Sequence, residues 1–271
     1  MDEEKIINEI ADIVYKNCGI VFKETNILVL KSRISQRLKE KNLSLEKYFE
    51  LLKSDKEELQ SFVDFVTTNF TSFFRNHNQF EILEKKLIPE LVKSNEKDKK
   101  IKLWSAGCAT GEEPYSMAMI MNEVMEKEAL YEKGWDFTII ASDISLQSLF
   151  IAREAKYSKK SMEKVKKEFI EKYFDFVDED VFIVKEFLRK KIRFDMHNLI
   201  YDNGIRDVDV VFCRNVIIYF DQDVQKKVLE NIYTSMKKGA FLFLGHSESL
   251  FGIYDRLKPF SFKDGIVYVK E

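Results

Sequence analysis

The sequence predicts an α/β protein: a doubly wound, largely parallel sheet, preceded by a small helical domain and carrying a small antiparallel excursion. Three observations support this. Residues 1–93 show helical periodicity only. From residue 101 onward, short apolar runs that end in small or polar residues alternate with helical patterns, as strands joined by crossover helices do. Within that half, DFVDEDVFIVKEFLRKKIRFDMHN alternates with period two and holds no convincing helix.

In the first half, IINEIADIVYKNCGI sets Ile6, Ile10, Ile13 and Val14 at helical spacing and stops at Gly19. ILVLKSRISQRLKEKN, LSLEKYFELLKS and ELQSFVDFVTTNF are further short helices joined by polar turns, which reads as a small bundle. FEILEKKLIPELVKS is another helix, and KSNEKDKK at 93–100 is a charged surface connection. In the second half, IKLWSAG, DFTIIASDIS, DVVFCRN and AFLFLG are strands. EEPYSMAMIMNEVMEK, SLQSLFIAREAKY and DQDVQKKVLENIYTSMKKG are the helices between them. The antiparallel subdomain is placed at about residues 173–194. FSFKDGIVYVK closes the chain as a hairpin turning at Asp264-Gly265. The expected domains are residues 1–75 and 76–271.

The bulk numbers narrow the class. The 271 residues are 45% hydrophobic and 33% charged, enough apolar material for a real core. A formal net charge of −2 argues against a nucleic-acid channel and against a polybasic membrane anchor. No apolar run approaches the ~18 residues of a membrane span, and the acidic start MDEEKIINEI lacks a signal-peptide core. The expected compartment is the cytoplasm, with no membrane insertion. Cys18, Cys108 and Cys213, like His77, His197 and His246, are scattered, which indicates neither a disulfide framework nor a metal site.

In an open parallel sheet the ligand binds outside the carboxyl ends of the strands. After the first strand, SAGCATGEEPYS offers Gly107 and Gly111 for close backbone approach and a helix start with free N–H groups. It is not GxGxxG, so a dinucleotide site is not supported. The second strand ends at Asp143, which either accepts both hydroxyls of a ribose or caps the following helix; position alone does not separate the two. A glycine turn paired with such an acid points to an adenosine-containing cofactor. Without a phosphate-binding Lys-Ser/Thr, S-adenosylmethionine (SAM) fits better than a nucleotide. The third run carries Arg214 and Asn215 amid apolar residues, which suggests that the strand ends near Cys213 and presents the pair to a ligand.

TTNFTSFFR (67–75), LWSAGCATGEEPYSMAM (103–119), ASDIS (141–145), HNL (197–199), FCRNVIIYF (212–220) and GHSES (245–249) occur in this order. Together they resemble the chemotaxis receptor methyltransferases, the CheR family, over nearly the whole chain. The resemblance implies SAM-dependent methyl esterification of glutamate side chains on the cytoplasmic helices of chemoreceptors, with S-adenosylhomocysteine as product and no metal. It implies that Asn69, Thr71 and Arg75 touch SAM from the segment crossing to the cleft, and that Glu113 lies beside it. Asp143 would hold the ribose, Asn198 and Leu199 would flank the adenine, and Arg214-Asn215 would close the pocket. Tyr219 would lie near the methyl group, and Arg75 and Tyr219 are the candidates for orienting the substrate glutamate.

A glutamate of ordinary pKa ~4.3 is already ionised at neutral pH, so an in-line methyl transfer needs no general base; positioning and desolvation remain for the protein. The basic helix at 27–41 suggests docking of glutamate-rich receptor helices through Arg33 and Arg37, which share a face. A solvated helix face is the plain alternative. In some family members a glycine-containing loop of the antiparallel subdomain binds a receptor tether; the short VDEDV turn here suggests independence from it.

Phe70, Phe73 and Phe74 are expected in the core, and Glu112 is expected to favour the helix dipole. Ser-His chemistry at His246-Ser247 lacks a third partner. A SAM methyltransferase acting on nucleic acid or a small molecule, or a non-catalytic SAM-binding module, are the alternatives. FCRNVIIYF has no proline where base methyltransferases carry a Pro-Pro loop. Nothing in the sequence requires more than a monomer.

Overall fold

Four helices open the chain: α1 (Glu3–Cys18), α2 (Ile27–Lys41), α3 (Leu45–Ser54) and α4 (Lys56–Val66). They belong to a computed structural model that describes residues 2–23, 26–67 and 69–271, so Thr68 of the TTNFTSFFR motif lies outside the described residues. Gly19 ends α1 in the left-handed region, at φ 74°. The side chains of Ser44 and Asp55 accept from backbone N–H groups in the first turns of α3 and α4. Ile6, Ile10, Val14, Leu30, Tyr48 and Phe62 form the bundle core. Glu58 is buried beside it and held by Arg37 and Lys41, each at 2.6 Å, and by the Tyr48 hydroxyl, which donates at 2.9 Å. Burial alone would raise the Glu58 pKa, but hydrogen bonds from Lys41, Arg37 and Tyr48 outweigh it and bring the pKa down.

The next helical run is α5 (His77–Ile82), a wide π turn (Leu83–Leu87) and α6 (Ile88–Ser94). Pro89 lies in the first turn of α6. It has no N–H to donate, and the wide turn before it avoids the clash a regular helix would force.

The second half continues with β1 (Lys100–Ala106), α7 (Glu112–Lys127), β2 (Asp136–Asp143), α8 (Leu146–Glu154) and β3 (Lys156–Ser158). After a 3₁₀ segment (Lys159–Lys164) come α9 (Lys167–Tyr173), β4 (Phe174–Asp178), β5 (Val181–Val184), α10 (Glu186–Arg189), β6 (Ile192–Met196) and β7 (Val208–Cys213). A 3₁₀ turn (Ile217–Tyr219), α11 (Gln222–Ser235), β8 (Met236–Leu244), β9 (Leu257–Phe262) and β10 (Gly265–Lys270) complete the chain.

The large sheet runs β6-β2-β1-β7-β8-β10-β9. Its first five strands are parallel, and β10 is antiparallel to both β8 and β9. β1 lies between β2 and β7, so the strand order reverses there and a cleft opens at the carboxyl ends. Leu103, Ile139, Phe212 and Phe243 face α7 on one side. Trp104, Val211 and Leu242 face α11 on the other. Both faces are covered, which is why these strands are apolar throughout.

Three readings from the sequence change. The antiparallel sheet has the order β3-β5-β4, so it recruits Lys156–Ser158 from a stretch that reads as the end of a helix. The segment 173–194 is not antiparallel throughout: it holds the helical turn α10, and β6 is a parallel edge of the large sheet. The closing hairpin is present, but Gly265 pairs with Phe262, so the turn residues are Lys263 and Asp264.

Candidate active site

The loops after β1, β2, β6 and β7 and the last turns of the helical domain enclose one cleft of 440 Å³. Its lining includes Asn69, Thr71, Arg75, Gly107, Glu113, Asp143, Asn198, Leu199, Arg214, Asn215 and Tyr219. These sequence-selected residues come from five separate segments, and the fold brings them together. Arg33 and Arg37 are not among the lining residues.

Gly107 ends β1 at φ 87°, its N–H donating to the Ser142 carbonyl at 2.8 Å. A Cβ there would lie 2.4 Å from a Val216 methyl, so the β1 and β7 loops approach more closely than any side chain allows. Asp143 closes β2. Its Oδ2 accepts from the Ala109 N–H at 2.8 Å and its Oδ1 from the Ser145 N–H at 2.9 Å. Burial raises its pKa, against the pull of those backbone donors. Ser145 caps α8, accepting from the Ser148 N–H at 3.1 Å, so Asp143 is not the helix cap. With one donor on each oxygen, both carboxylate oxygens keep acceptor capacity.

Glu113, in the first turn of α7, accepts from the Ser105 hydroxyl at 2.7 Å and from Arg214 at 3.2 Å. Arg214 is buried against the rings of Phe80 and Phe212 and also donates to the Arg75 carbonyl. Its Nε and the neighbouring Asn215 Oδ1 are buried and have no partner among the described residues. Asn215 adopts φ 58°, turning the chain out of β7. The 3₁₀ turn that follows carries Tyr219, whose carbonyl accepts from the Val21 N–H at 2.9 Å.

Arg75 lies between two left-handed residues, Phe74 at φ 51° and Asn76 at φ 59°. Such backbone is costly for a phenylalanine. It is held by the Phe74 N–H donating to Ser116 Oγ at 3.0 Å and by burial of the Phe74 ring against Phe80 and Phe169. The reversal leaves Phe73 and Phe74 in the core but throws Phe70 out: it is 73% exposed, contrary to expectation. The Phe70 carbonyl accepts from Arg75 Nη1 at 2.9 Å, and the guanidinium lies over the Phe70 ring at 5.5 Å.

Asn198 is a clasp between domains, its amide donating to the Asn17 carbonyl at the end of α1 at 2.7 Å. Beside it is a buried residue that the sequence did not single out, His197. Its Nδ1 accepts from Asn203 at 3.0 Å, its Nε2 donates to the Tyr201 carbonyl at 2.9 Å, and its ring stacks on Trp104. Burial lowers its pKa, which keeps the ring neutral. Glu248, of GHSES, was also missed; its carboxylate reaches the backbone of the β7 loop. His246 and Ser247 in the same motif are exposed.

Two clamps fix the helical domain on the sheet. Asp64 accepts from the N–H groups of Leu146 and Gln147 at the start of α8, both at 3.2 Å, and Gln60 donates to the Ile144 carbonyl at 3.0 Å. At the other end, Ile20 bridges Phe220. Among the described residues, no cluster of three or more His, Cys, Asp or Glu could hold a metal ion, and no helix is long and apolar enough to cross a membrane.

Two family models match in sequence: the all-alpha domain of CheR methyltransferase over residues 6–67 and its SAM binding domain over residues 69–266. Among similar proteins, the chemotaxis protein methyltransferase of Borreliella burgdorferi is 35% identical over 253 residues, covering 91% of this chain and 88% of that protein. Chemotaxis protein methyltransferase 1 of Pseudomonas aeruginosa is 33% identical, covering 93% of each chain. The chemotaxis protein methyltransferase of Listeria monocytogenes is 33% identical, covering 92% of each. A cleft lined from five of the six ordered motifs, both domain models and relatives matched nearly end to end agree: the chain belongs to the CheR methyltransferase family.

Proposed function

We propose that this chain transfers the methyl group of SAM to glutamate side chains on the cytoplasmic helices of chemoreceptors and releases S-adenosylhomocysteine. The observation that carries this reading is that Arg75 and Tyr219, from separate segments of the chain, line the same cleft as Asp143 and Glu113.

The residues present fit SAM. Asp143 keeps acceptor capacity on both oxygens for a ribose diol, and the buried, unpartnered Arg214 Nε and Asn215 Oδ1 supply a donor and an acceptor. Asn69, Thr71 and Gly107 complete the polar wall, with Leu199 as an apolar flank for the adenine. Asn198, its amide committed to Asn17, steadies that flank. When bound, SAM supplies an electrophilic methyl group on a sulfonium. Arg75 fixes the incoming carboxylate, and its bond to the Phe70 carbonyl keeps it orienting rather than clamping. Tyr219 offers its hydroxyl at the reacting end. Closure of the cleft by the helical domain excludes water, which strengthens these polar contacts.

We place receptor docking on the helical domain within residues 1–75, through Arg33, and methyl transfer on residues 76–271 together with Asn69, Thr71 and Arg75 at the end of the first segment, in the cytoplasm. The β4–β5 hairpin turns on two residues, Glu179 and Asp180, which supports methylation without a receptor tether.

The test is SAM binding by calorimetry, followed by labelled methyl transfer to receptor membranes, to receptors with the acceptor glutamates changed to alanine, and to free tRNA. Label on receptor that disappears in the alanine variants is the expected result; label on tRNA alone overturns the reading. Tyr219→Phe and Arg75→Lys should each lose most turnover while SAM binding largely survives. Full activity in Tyr219→Phe removes the hydroxyl from the chemistry.

A further inference from the structure

We propose that Glu248 is the positioning residue of the cleft: its carboxylate sets the loop that carries Asn215 and Tyr219, and through that loop the affinity for SAM. The proposal rests on the reading that this cleft binds SAM. Strand β8 ends at Leu244, and a turn closed by the Glu248 N–H donating to the Gly245 carbonyl at 3.0 Å brings the side chain back toward β7. There Oε2 accepts from the Gly245 N–H at 2.6 Å and the Asn215 N–H at 2.7 Å. Oε1 accepts from the Val216 N–H at 2.9 Å and the Ile218 N–H at 3.3 Å.

Four backbone donors thus converge on one carboxylate, and three belong to the segment between Arg214 and Tyr219. Asn215 in the left-handed region followed by Val216 in the right-handed helical region directs successive N–H groups into a concave nest, an arrangement that receives an anion. Here the anion is a side chain of the same chain. Gly245 makes room for it. A Cβ at that position would lie 2.6 Å from Glu248 Oε2 and 2.7 Å from Asn215 Nδ2.

What the nest fixes bears on function. It aims the Asn215 side chain, whose Oδ1 is buried without a partner among the described residues. It also holds Val216 against Gly107 and starts the 3₁₀ turn that delivers Tyr219. The Val21 N–H on the Tyr219 carbonyl secures the far end of the same loop. Glu248 is absent from the residues lining the cleft, so it acts through the loop.

Glu248→Gln presents one acceptor oxygen and one amide donor to four N–H groups, so part of the nest loses its partner. In the native chain the amides of Gly245, Asn215, Val216 and Ile218 should be protected from hydrogen exchange, and in Glu248→Gln all four should exchange faster. SAM affinity by calorimetry should fall by about tenfold to a hundredfold and kcat should drop, with KM for receptor within about twofold. Glu248→Asp, which keeps the charge, should recover part of the SAM affinity, and Ser247→Ala should match the native chain. Native SAM affinity in a folded Glu248→Gln variant overturns the proposal, as do four amides that are unprotected in the native chain. Should Glu248→Gln fail to fold, native SAM affinity in Glu248→Asp together with faster exchange at residues 215–218 overturns it equally. A native chain that binds SAM yet labels no receptor defeats the substrate reading and leaves this one standing.

Discussion

Arg214 and Glu113 form an ion pair sealed inside the protein: Nη1 donates to Oε2 at 3.2 Å, with the side chains 1% and 12% exposed. The pair joins the end of β7 to the first turn of α7, and Arg214 also donates to the Arg75 carbonyl. Removing one member leaves the other charge buried and uncompensated. Glu113→Gln should therefore cost about 3–5 kcal/mol in urea unfolding. A Glu113→Gln, Arg214→Met double variant, which replaces the pair with uncharged groups, should recover more than half of that loss without recovering SAM binding. A double variant as unstable as the sum of its parts would show that the two charges are not coupled.

Arg33 and Arg37 share one face of α2 but separate under test. Arg37 is committed to buried Glu58, with Nη2 at 2.6 Å, and also donates to Ser61 and Glu40. Arg33 makes a cation–π contact with Phe65 at 4.8 Å. Arg37→Glu should cost about 3–5 kcal/mol by leaving Glu58 opposite a like charge. Arg33→Glu should keep the melting temperature and raise KM for receptor by about fivefold, with a weaker dependence on salt. An unchanged KM removes Arg33 from docking.

The pH dependence of stability gives a sharper check at Glu112, which is buried and accepts from the Thr110 hydroxyl at 2.7 Å. Burial raises its pKa above the ordinary 4.5, against that hydrogen bond and its own backbone N–H. The folded state therefore holds the proton more tightly than the unfolded chain. Its stabilising contribution is present below 4.5 and is lost as pH rises through the raised folded value. Glu112→Gln cannot titrate, so its stability relative to the native chain should improve from pH 4.5 to neutral pH. Urea midpoints at the two ends of that range decide it; a constant difference would mean that Glu112 does not titrate there.

At Gly107, both the left-handed φ and the contact with Val216 resist a side chain. Gly107→Ala should cost about 1–3 kcal/mol and weaken SAM binding. In a Val216→Ala background the steric part should be relieved and the backbone part should persist. Equal costs in both backgrounds would assign the whole effect to φ.

The strand ends of the cleft were legible because each apolar run stops at a glycine or a polar residue: Gly107, Asp143, Asn198 and Arg214 all sit at or just past the end of such a run. What stayed hidden has physical reasons. Phe70, Phe73 and Phe74 look alike in sequence, and only the left-handed turn at Phe74 separates the exposed ring from the buried ones. Strand β3 has three residues, too few to show a period. Arg37 could not be told from Arg33 until α4 brought Glu58 to one of them. Glu248 works on backbone N–H groups, which leave no mark in a sequence, and its one trace is Gly245 three residues ahead.

The hydrogen bond from the Val21 N–H to the Tyr219 carbonyl has a consequence for inheritance and for engineering. Cys18, Ile20 and Phe22 of the helical domain line the same cleft as the motif residues of the sheet domain. The helical domain and the sheet domain thus share a wall of one pocket. A helical domain grafted from another member would bring its own version of that wall, so the domain cannot be exchanged without retuning the pocket. Selection on either half acts on both.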